Sequence, residues 1–253
     1  MSIYIITHKD VELPKYDNYI PMQVGENKHD ISSYMRDDFG ENIADKNSSY
    51  CELTGIYAIW KNVKDENIIG IVHYRRYFFS TRISKCFENI LSYDEIERIL
   101  KDYDLILPEK HFFKQCVKKQ YSNIHNYRDL EICREVISEF CPNYLDAFDE
   151  MLFDKYIFPF NMFIMKRYVF DEYATWLFSI LFEVEKRIDI DSYDTYNQRV
   201  FGFLSERLFN VWIKHQHYRY VSVPVHNIEM NRREQWSERM KNQIKKELSR
   251  IKW

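Results

Sequence analysis

The run from Ile68 to Phe78 places an apolar stretch directly before His73, Tyr74, Arg75 and Arg76. Each arginine carries a rigid fork of N–H donors that matches a phosphate or a carboxylate. The β-branched residues before it predict a buried strand, and ligands of open α/β sheets bind at the carboxyl ends of such strands. The run therefore predicts an anion site. The alternative is that both arginines pair with structural carboxylates while the tyrosine rings pack.

A second candidate group lies in the polar segment 25–48, which shows little periodicity. Loops of this length within a compact domain are usually functional. The segment contains Asp37, Asp38, Asn42 and Asn47. A carboxylate pair beside a turn glycine could hold a ribose, a sugar or a divalent metal ion. The alternative is an Asx turn on a solvated loop.

Polar residues in the second half of the chain are further candidates. Asn161 stands at the entry of an apolar strand, where it either caps a turn or presents its amide to a ligand hydroxyl. Arg199 and Glu206 are seven residues apart and share one face of a predicted helix, as a cleft-lining pair or as a solvated one. Asp194 belongs to an acidic turn that could accept a proton or contact a metal, or could simply face solvent.

Strands that alternate with helices must position these residues. Hydrophobic patterning predicts strands over 3–7, 19–24, 68–74, 105–107, 162–165 and 220–223. Capping boxes that begin at Ser49 and Ser92 predict two helix starts, and further helices are predicted over 129–140, 168–188, 196–214 and the tail. This alternation indicates an α/β sandwich.

The composition limits the function classes. The chain has 253 residues, 17% aromatic residues, few Gly and Pro and a net charge of −3, which indicates a compact protein without a global attraction to nucleic acid. Its five cysteines form no C-x-x-C pair, so neither a zinc knuckle nor a disulfide framework is expected. No signal-peptide pattern and no bilayer-spanning apolar run is present, which predicts a cytoplasmic location. Common phosphate-binding, hydrolase and zinc-protease motifs are absent.

The C-terminal segment differs from the rest in charge. Residues 232–253 contain eight Lys or Arg and three Glu, a net +5, so the remainder carries −8. Apolar residues recur on one helical face at Trp236, Met240, Ile244, Leu248 and Ile251. This pattern is typical of an interfacial amphipathic helix attracted to anionic lipid, and the alternative is a terminal helix docked on the core. We therefore expect a main domain over 1–228 and a basic amphipathic helix over 229–253.

Taken together, these segments resemble a bacterial family of capsule, O-antigen and exopolysaccharide glycosyltransferases, long catalogued as a domain of unknown function. The resemblance spans residues 3 to about 213, and His73-Tyr74-Arg75-Arg76-Tyr77-Phe78 is its most specific block. The other blocks are Thr7-His8-Lys9, Asp37-Asp38-x-Gly40-x-Asn42-Ile43, Asn47-x-x-Tyr50-Cys51-Glu52-Leu53-Thr54, Trp60-Lys61-Asn62, Gly70-Ile71-Val72, Asn161-Met162-Phe163-Ile164-Met165 and Gly202-Phe203-Leu204-Ser205-Glu206-Arg207-Leu208.

The resemblance implies a GT-A-like Rossmann-type sandwich, with a mostly parallel central sheet flanked by helices and a basic C-terminal helix. It implies a nucleotide-sugar donor, with UDP-linked galactose or galactofuranose as one possibility, and a lipid-linked oligosaccharide acceptor in capsule, O-antigen or exopolysaccharide synthesis. It also implies a peripheral position at the inner face of the cell membrane, where such acceptors lie.

The resemblance further implies roles for the candidate residues. Those expected to bind the nucleotide-sugar are Thr7, His8, Asp37, Asp38, Asn42, Asn47, His73, Tyr74, Asn161 and Arg199. Arg75 and Arg76 would neutralise the diphosphate as the glycosidic oxygen leaves. Glu206 or Asp194 would act as the base toward the acceptor hydroxyl.

Two features depart from the family pattern and leave the metal open. Many GT-A enzymes hold Mn²⁺ with Asp-x-Asp, and His73-Tyr74-Arg75 stands in that place here. Either the arginines replace Mn²⁺ or Mg²⁺, or Asp37 and Asp38 supply the ligands. The loop also has a glutamate and an alanine where the family more often has an aspartate and a serine. The competing class is a non-catalytic protein that binds an anionic polymer or serves as a scaffold in polysaccharide assembly.

Overall fold

A computed structural model describes residues 1–25, 31, 33–80 and 87–250. Parts of the predicted 25–48 loop (26–30 and 32), Cys86 and the tail residues 251–253 lie outside the described residues. The strands are β1 Ser2–Thr7, β2 Tyr19–Gln23, β3 Met35–Arg36, β4 Ile68–His73, β5 Arg76–Phe78, β6 Leu105–Pro108, β7 His111–Phe112, β8 Tyr156–Ile157, β9 Phe163–Lys166, β10 Tyr220–Val223 and β11 Val225–Asn227.

The helices alternate with these strands, as the sequence predicts. They are α1 Asn47–Tyr50, α2 Leu53–Asn62, α3 Tyr93–Asp102, α4 Val117–Ser122, α5 Arg128–Phe140, α6 Leu145–Phe153, α7 Arg167–Glu185, α8 Val200–His215 and α9 Arg232–Arg250. The capping box at Ser92 is confirmed, because the Ser92 hydroxyl accepts from the Glu95 N–H and the Glu95 carboxylate accepts from the Ser92 N–H. The box predicted at Ser49 is wrong, since Ser49 donates to the Lys46 carbonyl and α2 begins later without a side-chain cap.

The central sheet is mostly parallel, in the order β10-β6-β9-β4-β1-β2-β3. Strand β1 runs parallel to both β2 and β4, β2 runs parallel to β3, and β6 runs parallel to β10. Strand β9 runs antiparallel to its neighbours β4 and β6. The predicted α/β architecture is confirmed.

Close packing in the middle of the sheet depends on one glycine. Gly70 of β4 lies opposite Ile3 of β1 in the parallel register. A Cβ at Gly70 would lie 2.3 Å from Ile3 Cδ1 and 3.2 Å from Ile164 Cγ1. Because Ile3 and Ile164 are fully buried, a larger residue would force rearrangement of the core.

The chain reverses at Tyr74, the last residue of the strand predicted over 68–74. Strand β4 ends at His73, a turn occupies Tyr74 and Arg75, and β5 begins at Arg76, which pairs with His73. Strand β5 then pairs with β11 in an antiparallel ladder. The two adjacent arginines therefore belong to different elements, one to the turn and one to a strand.

The chain divides into two compact units. The first comprises 1–109, 162–174 and 218–235 and contains the whole central sheet. The second comprises 110–161, 175–217 and the chain from 236 onward, and holds the two-stranded sheet of β7 and β8 with α4, α5, α6 and α8. The expected boundary between 1–228 and 229–253 stays a prediction.

The predicted basic C-terminal helix is present as α9. In the part of the chain that the structure describes, no helix combines the length and the apolar character needed to cross a bilayer.

Candidate functional site

Four parallel strands of the first unit end at one edge of the sheet. In the register, Thr7 of β1 lies beside Gln23 of β2, and Ile6 lies beside His73 of β4. Gln23 in turn lies beside Arg36 of β3. The residues that follow these positions therefore gather at the carboxyl edge, where open α/β sheets bind their ligands.

Four side chains at this edge form what we call the cationic cluster: His8, Lys9, Tyr74 and Arg75. The His8 ring meets the Tyr74 ring edge-on at 5.3 Å between centroids. Lys9 Nζ lies 4.7 Å and Arg75 Cζ lies 5.5 Å from the centroid of the same ring. Stacking of cations on an aromatic face holds both charges close together without a buried carboxylate beneath them.

Backbone hydrogen bonds hold the turn that carries Tyr74 and Arg75. The Tyr74 N–H donates to the Ile6 carbonyl of β1 at 3.1 Å, and the Ile228 N–H donates to the Arg75 carbonyl at 2.9 Å. The Tyr77 hydroxyl donates to the Tyr74 carbonyl at 3.2 Å. Contacts from distant segments, rather than a turn-forming glycine or asparagine, therefore fix the two side chains at the strand edge.

A single carboxylate, that of Glu229, bridges the two cations of the cluster. Its Oε1 lies 3.4 Å from Lys9 Nζ and its Oε2 lies 3.7 Å from Arg75 Nη1. The three side chains are 49%, 40% and 46% exposed for Lys9, Arg75 and Glu229, so water screens both pairs. The arrangement shows that an anion fits between the two cations, and that the present anion is weakly held.

The remaining predicted residues of this edge support the cluster. The Thr7 hydroxyl donates to the Lys9 carbonyl at 2.6 Å and accepts from the Lys9 N–H at 3.1 Å, which fixes the turn after β1. His73 and Arg76 are half-buried and pair with each other across the β4–β5 hairpin. Thr7 therefore acts on the backbone that presents His8 and Lys9.

A second group at the same edge, which we call the aspartate cluster, consists of Gly25, Asp37, Asn47 and Thr54. Asp37 Oδ2 accepts from the Thr54 hydroxyl at 2.5 Å and from the Gly25 N–H at 3.2 Å. Asn47 Nδ2 donates to the Thr54 hydroxyl at 2.9 Å. Asp37 is fully buried, and burial raises the pKa of its carboxyl above the usual value.

The other loop residues have local tasks. Arg36 donates to both carboxylate oxygens of Asp38, at 3.2 and 3.0 Å. Asn42 donates to the Gly40 carbonyl and accepts from the Ala44 N–H, which makes an Asx turn. The predicted pair Asp37 and Asp38 is thus split between a buried and an exposed setting.

The different settings of Asp37 and Asp38 determine how well this pair fits a divalent metal ion. Mn²⁺ or Mg²⁺ would require several oxygen ligands that converge on one point. Among the described residues, no group of three or more His, Cys, Asp or Glu side chains is arranged to hold a metal ion. The described residues at this edge therefore do not fit a metal site.

In the second unit, Asn161 belongs to a strained turn. Phe160 and Asn161 both have positive φ, 78° and 50°, a conformation that non-glycine residues adopt at a cost. Asn161 is fully buried, and its Nδ2 donates to the Ser205 hydroxyl at 2.7 Å. Glu206 Oε1 accepts from the Phe160 N–H at 3.0 Å. Helix α8 therefore holds this turn in its unusual conformation.

A buried arginine accompanies Glu206. Arg207 Nη1 lies 3.1 Å from Glu206 Oε2, and Arg207 Nη2 donates to Gln120 at 2.9 Å. The guanidinium also lies 5.1 Å from the centroid of the Tyr121 ring. Arg207 is only 4% exposed, so Glu206 is paired with a charge that is itself desolvated.

Asp194 and Arg199 lie near the start of α8. Asp194 accepts from the N–H groups of Tyr196 and Asn197 and from the Asn197 side chain at 2.7 Å, so it caps the turn before the helix. These bonds, chiefly that from the Asn197 side chain, lower the pKa of Asp194, which weakens it as a base. The Arg199 guanidinium lies 5.7 Å from the centroid of the Phe203 ring.

Comparison with solved structures defines the class of fold. The chain matches an apo structure of WbbM, a bifunctional glycosyltransferase, with a TM-score of 0.84 and 27% identity over 90% of this chain and 45% of that one. The fold is therefore GT-A-like, and the chain spans less than half the length of that protein.

The family follows from the sequence. Residues 2–217 match the family described as a domain of unknown function, DUF4422, and the chain belongs to that family. No curated protein matches the chain.

The structure also gives contacts to residues that received no role from the sequence. Lys9 and Thr54 stand in the motif blocks without a role of their own, and the structure places them in the cationic cluster and the aspartate cluster. Lys9 directly follows two predicted ligand residues, which was a usable signal. Glu229, which bridges the two cations, begins the segment predicted as a membrane helix, and nothing in the sequence connects it with the sheet edge.

Proposed function

We propose that this chain is a glycosyltransferase that transfers a sugar from a nucleotide-sugar to an acceptor hydroxyl. The observation that carries the proposal is the cationic cluster at the carboxyl edge of the parallel sheet, bridged by one exposed carboxylate. The likeness to WbbM and the family match support the same reaction class.

In this proposal, Arg75 and Lys9 bind the diphosphate of the donor. Two phosphate groups bring more negative charge than one carboxylate, and a guanidinium can bind phosphate oxygens in a bidentate manner. Charge develops on the leaving diphosphate as the glycosidic bond breaks, so the same cations stabilise the transition state. Arg76, His73, Tyr74 and His8 complete the donor site.

In this proposal the aspartate cluster lies beside the diphosphate, on the side of the ribose or the sugar. Asp37 is fully buried and accepts from Thr54, and Asn47 Nδ2 donates to Thr54 and to the Cys51 carbonyl, so both would bind the ligand only after exchanging these bonds. Asp38 and Asn42, which the structure engages in local bonds, would reach a ligand only after exchanging those bonds.

For the acceptor step, Glu206 is the stronger of the two base candidates. Asp194 uses both carboxylate oxygens to cap a turn, and its pKa is lowered. Glu206 is half-buried and accepts from the N–H of Phe160, so its substitution would disturb the strained turn at Asn161 as well as remove the proposed base. We propose Glu206 as the base, and we assign Asn161 and Arg199 to sugar binding on the resemblance to the family alone.

We propose UDP-linked galactose or galactofuranose as the donor, a lipid-linked oligosaccharide as the acceptor, and capsule, O-antigen or exopolysaccharide synthesis at the inner membrane face as the setting. These assignments rest on the resemblance of the motif blocks. Incubation with candidate UDP-sugars and release of UDP would identify the donor.

Thermal unfolding of the purified chain with UDP, GDP or CMP tests the proposal. A nucleotide at about 100 times its Kd adds about 2.7 kcal/mol, which corresponds to a rise of roughly 5–10 °C for a domain of this size. We expect this rise with UDP, in EDTA as well as in Mn²⁺.

Arg75→Gln and Lys9→Gln should reduce the shift, whereas Lys101→Gln, an exposed charge at the end of α3, should not. If no nucleotide raises the unfolding temperature of the folded protein, the donor site is refuted. Salt-sensitive binding of an anionic polymer would then favour the non-catalytic class.

A further inference from the structure

Within the second unit, the polar side of helix α9 contacts the chain at strand β7. Asn242 Oδ1 accepts from the Phe112 N–H at 2.7 Å, and Asn242 Nδ2 donates to the Lys110 carbonyl at 2.9 Å. Both bonds go to backbone groups in or next to β7, which pairs with β8. One asparagine thus fixes the rotation of the helix about its own axis.

The apolar side of α9 points the other way. Met240 and Ile244 are each two residues from Asn242, a rotation of about 160° on a helix. The stripe consists of Trp236, Met240, Ile244 and Leu248, which are 62%, 41%, 55% and 49% exposed. An amphipathic helix normally buries its apolar side and exposes its polar side, and α9 does the reverse.

Charge surrounds this apolar stripe. Lys241 flanks it on one side, and Arg239 and Arg250 flank it on the other, as the helical repeat of 100° per residue places them. Glu247 falls within the angular range of the stripe, where Arg250 pairs with it at 3.4 Å, and Glu234 lies next to Lys241. Residues 232–250 carry seven Lys or Arg and three Glu, and this net charge of +4 complements an anionic surface.

The spacing of the stripe indicates whether its partner is a flat surface or a second helix. A coiled-coil seam needs apolar residues that alternate at three and four positions. Among the described residues of the stripe the spacing is four each time, so the side chains turn by about 40° per step and spread over about 120° of the helix. A broad apolar face on a basic helix matches a lipid surface better than a narrow seam.

We propose that the exposed face of α9 inserts into the interface of an anionic lipid membrane. Trp236, Met240, Ile244 and Leu248 enter the boundary between head groups and acyl chains, and the flanking Lys and Arg side chains contact the anionic head groups. This inference goes beyond the transfer reaction, because it concerns the lipid surface and not the donor site.

Co-sedimentation of the full chain with lipid vesicles tests the inference. We expect binding to vesicles of equal parts phosphatidylglycerol and phosphatidylcholine, and about tenfold weaker binding to pure phosphatidylcholine. Ile244→Glu should lower the partition coefficient on the mixed vesicles by about tenfold or more, since it removes buried apolar area and adds a like charge. Phe140→Glu, at a position that is 58% exposed on α5, is the matched control and should bind normally.

Because Ile244 is exposed, the variant should unfold at the temperature of the unmodified protein, so lost binding reports on the surface and not on folding. Equal binding of Ile244→Glu, or equal binding to the two vesicle types, would overturn the inference. So would a dimer in solution that Ile244→Glu dissociates while no vesicle binding occurs, because the stripe would then serve a second copy.

Discussion

Replacing Glu229 by glutamine should tighten the binding of UDP. The carboxylate bridges Lys9 and Arg75, at 3.4 and 3.7 Å, and occupies the position that we assign to the donor diphosphate. A bound nucleotide must compete with it. Glutamine keeps the shape of the side chain and removes the competing charge.

The size of the effect follows from the exposure of the pairs. Solvent-exposed ion pairs contribute at most about 1 kcal/mol, and these side chains are half-exposed, so we assign about 0.3–0.7 kcal/mol to each. In Glu229→Gln, UDP does not have to displace a carboxylate from the two cations. The free energy of UDP binding then gains about 0.6–1.4 kcal/mol, which corresponds to a roughly three- to tenfold lower Kd. The difference should shrink in high salt, where screening weakens the pairs in the unmodified protein.

Isothermal titration calorimetry with UDP, at low and high salt, measures this difference. Glu97→Gln, an exposed change of the same charge on α3, controls for net charge, because the contact of Glu97 is with the Tyr93 hydroxyl. An unchanged or higher Kd in Glu229→Gln would refute the reasoning, since it would mean that the carboxylate orients the cations for the ligand or lies away from it.

Three further predictions concern stability. Ser92→Ala should lower the free energy of unfolding by about 1 kcal/mol in urea titration, because it removes the capping box with Glu95. Burial and the nearby charge of Lys245 lower the pKa of His111 from 6.5 to about 4, so the folded state loses stability as the pH falls through this range. At about 1.4 kcal/mol per pKa unit the loss is up to about 3 kcal/mol, and His111→Gln should remove it in urea titrations at pH 7 and pH 4. Burial raises the pKa of Asp37, so the folded state loses stability as the pH rises through the range in which this carboxyl ionises. Asp37→Asn should remove this loss, and the same urea titrations would measure it.

Much of the sheet was predictable from the sequence because its strands are locally consistent. The strand predicted over 220–223 is β10, and β1, β2, β4, β6 and β9 lie within a residue or so of the predicted ranges. Apolar, β-branched runs bounded by polar residues have few alternatives in a compact protein. The helix start at Ser92 was equally predictable, because Ser92 and Glu95, the two residues that exchange hydrogen bonds, lie three positions apart.

Turns that depend on distant contacts were not predictable. The reversal at Tyr74 and Arg75 contains no glycine, asparagine or proline, and its stability comes from Ile6 and Ile228. The same is true of Phe160 and Asn161, whose positive φ angles are supported from α8 through Glu206. Local propensity disfavours both turns, and only the folded chain supplies the partners that hold them.

The sequence indicates where along the chain the candidate residues lie, but not which partners each of them contacts. It places candidates at the ends of two predicted strands, now β1 and β4, and in the loop that contains the unpredicted β3, and the register brings these three ends to one edge. It does not distinguish Asp37 from Asp38, although one is fully buried and the other pairs with Arg36 near the surface. Burial depends on which neighbours pack against each side chain, and Asp37 and Asp38 lie in the turn after β3, where no periodic pattern indicates which of them faces inward.

The cationic cluster depends on a segment beyond the family match. The match ends at residue 217, whereas Ile228, which holds the Arg75 carbonyl, and Glu229, which bridges the cations, come later. Strand β11 delivers both, because it pairs with β5 next to the turn. One short strand thus positions the proposed phosphate-binding arginine and supplies the carboxylate that competes for it. Changes in this segment can therefore tune donor affinity while the residues of the sheet edge stay the same.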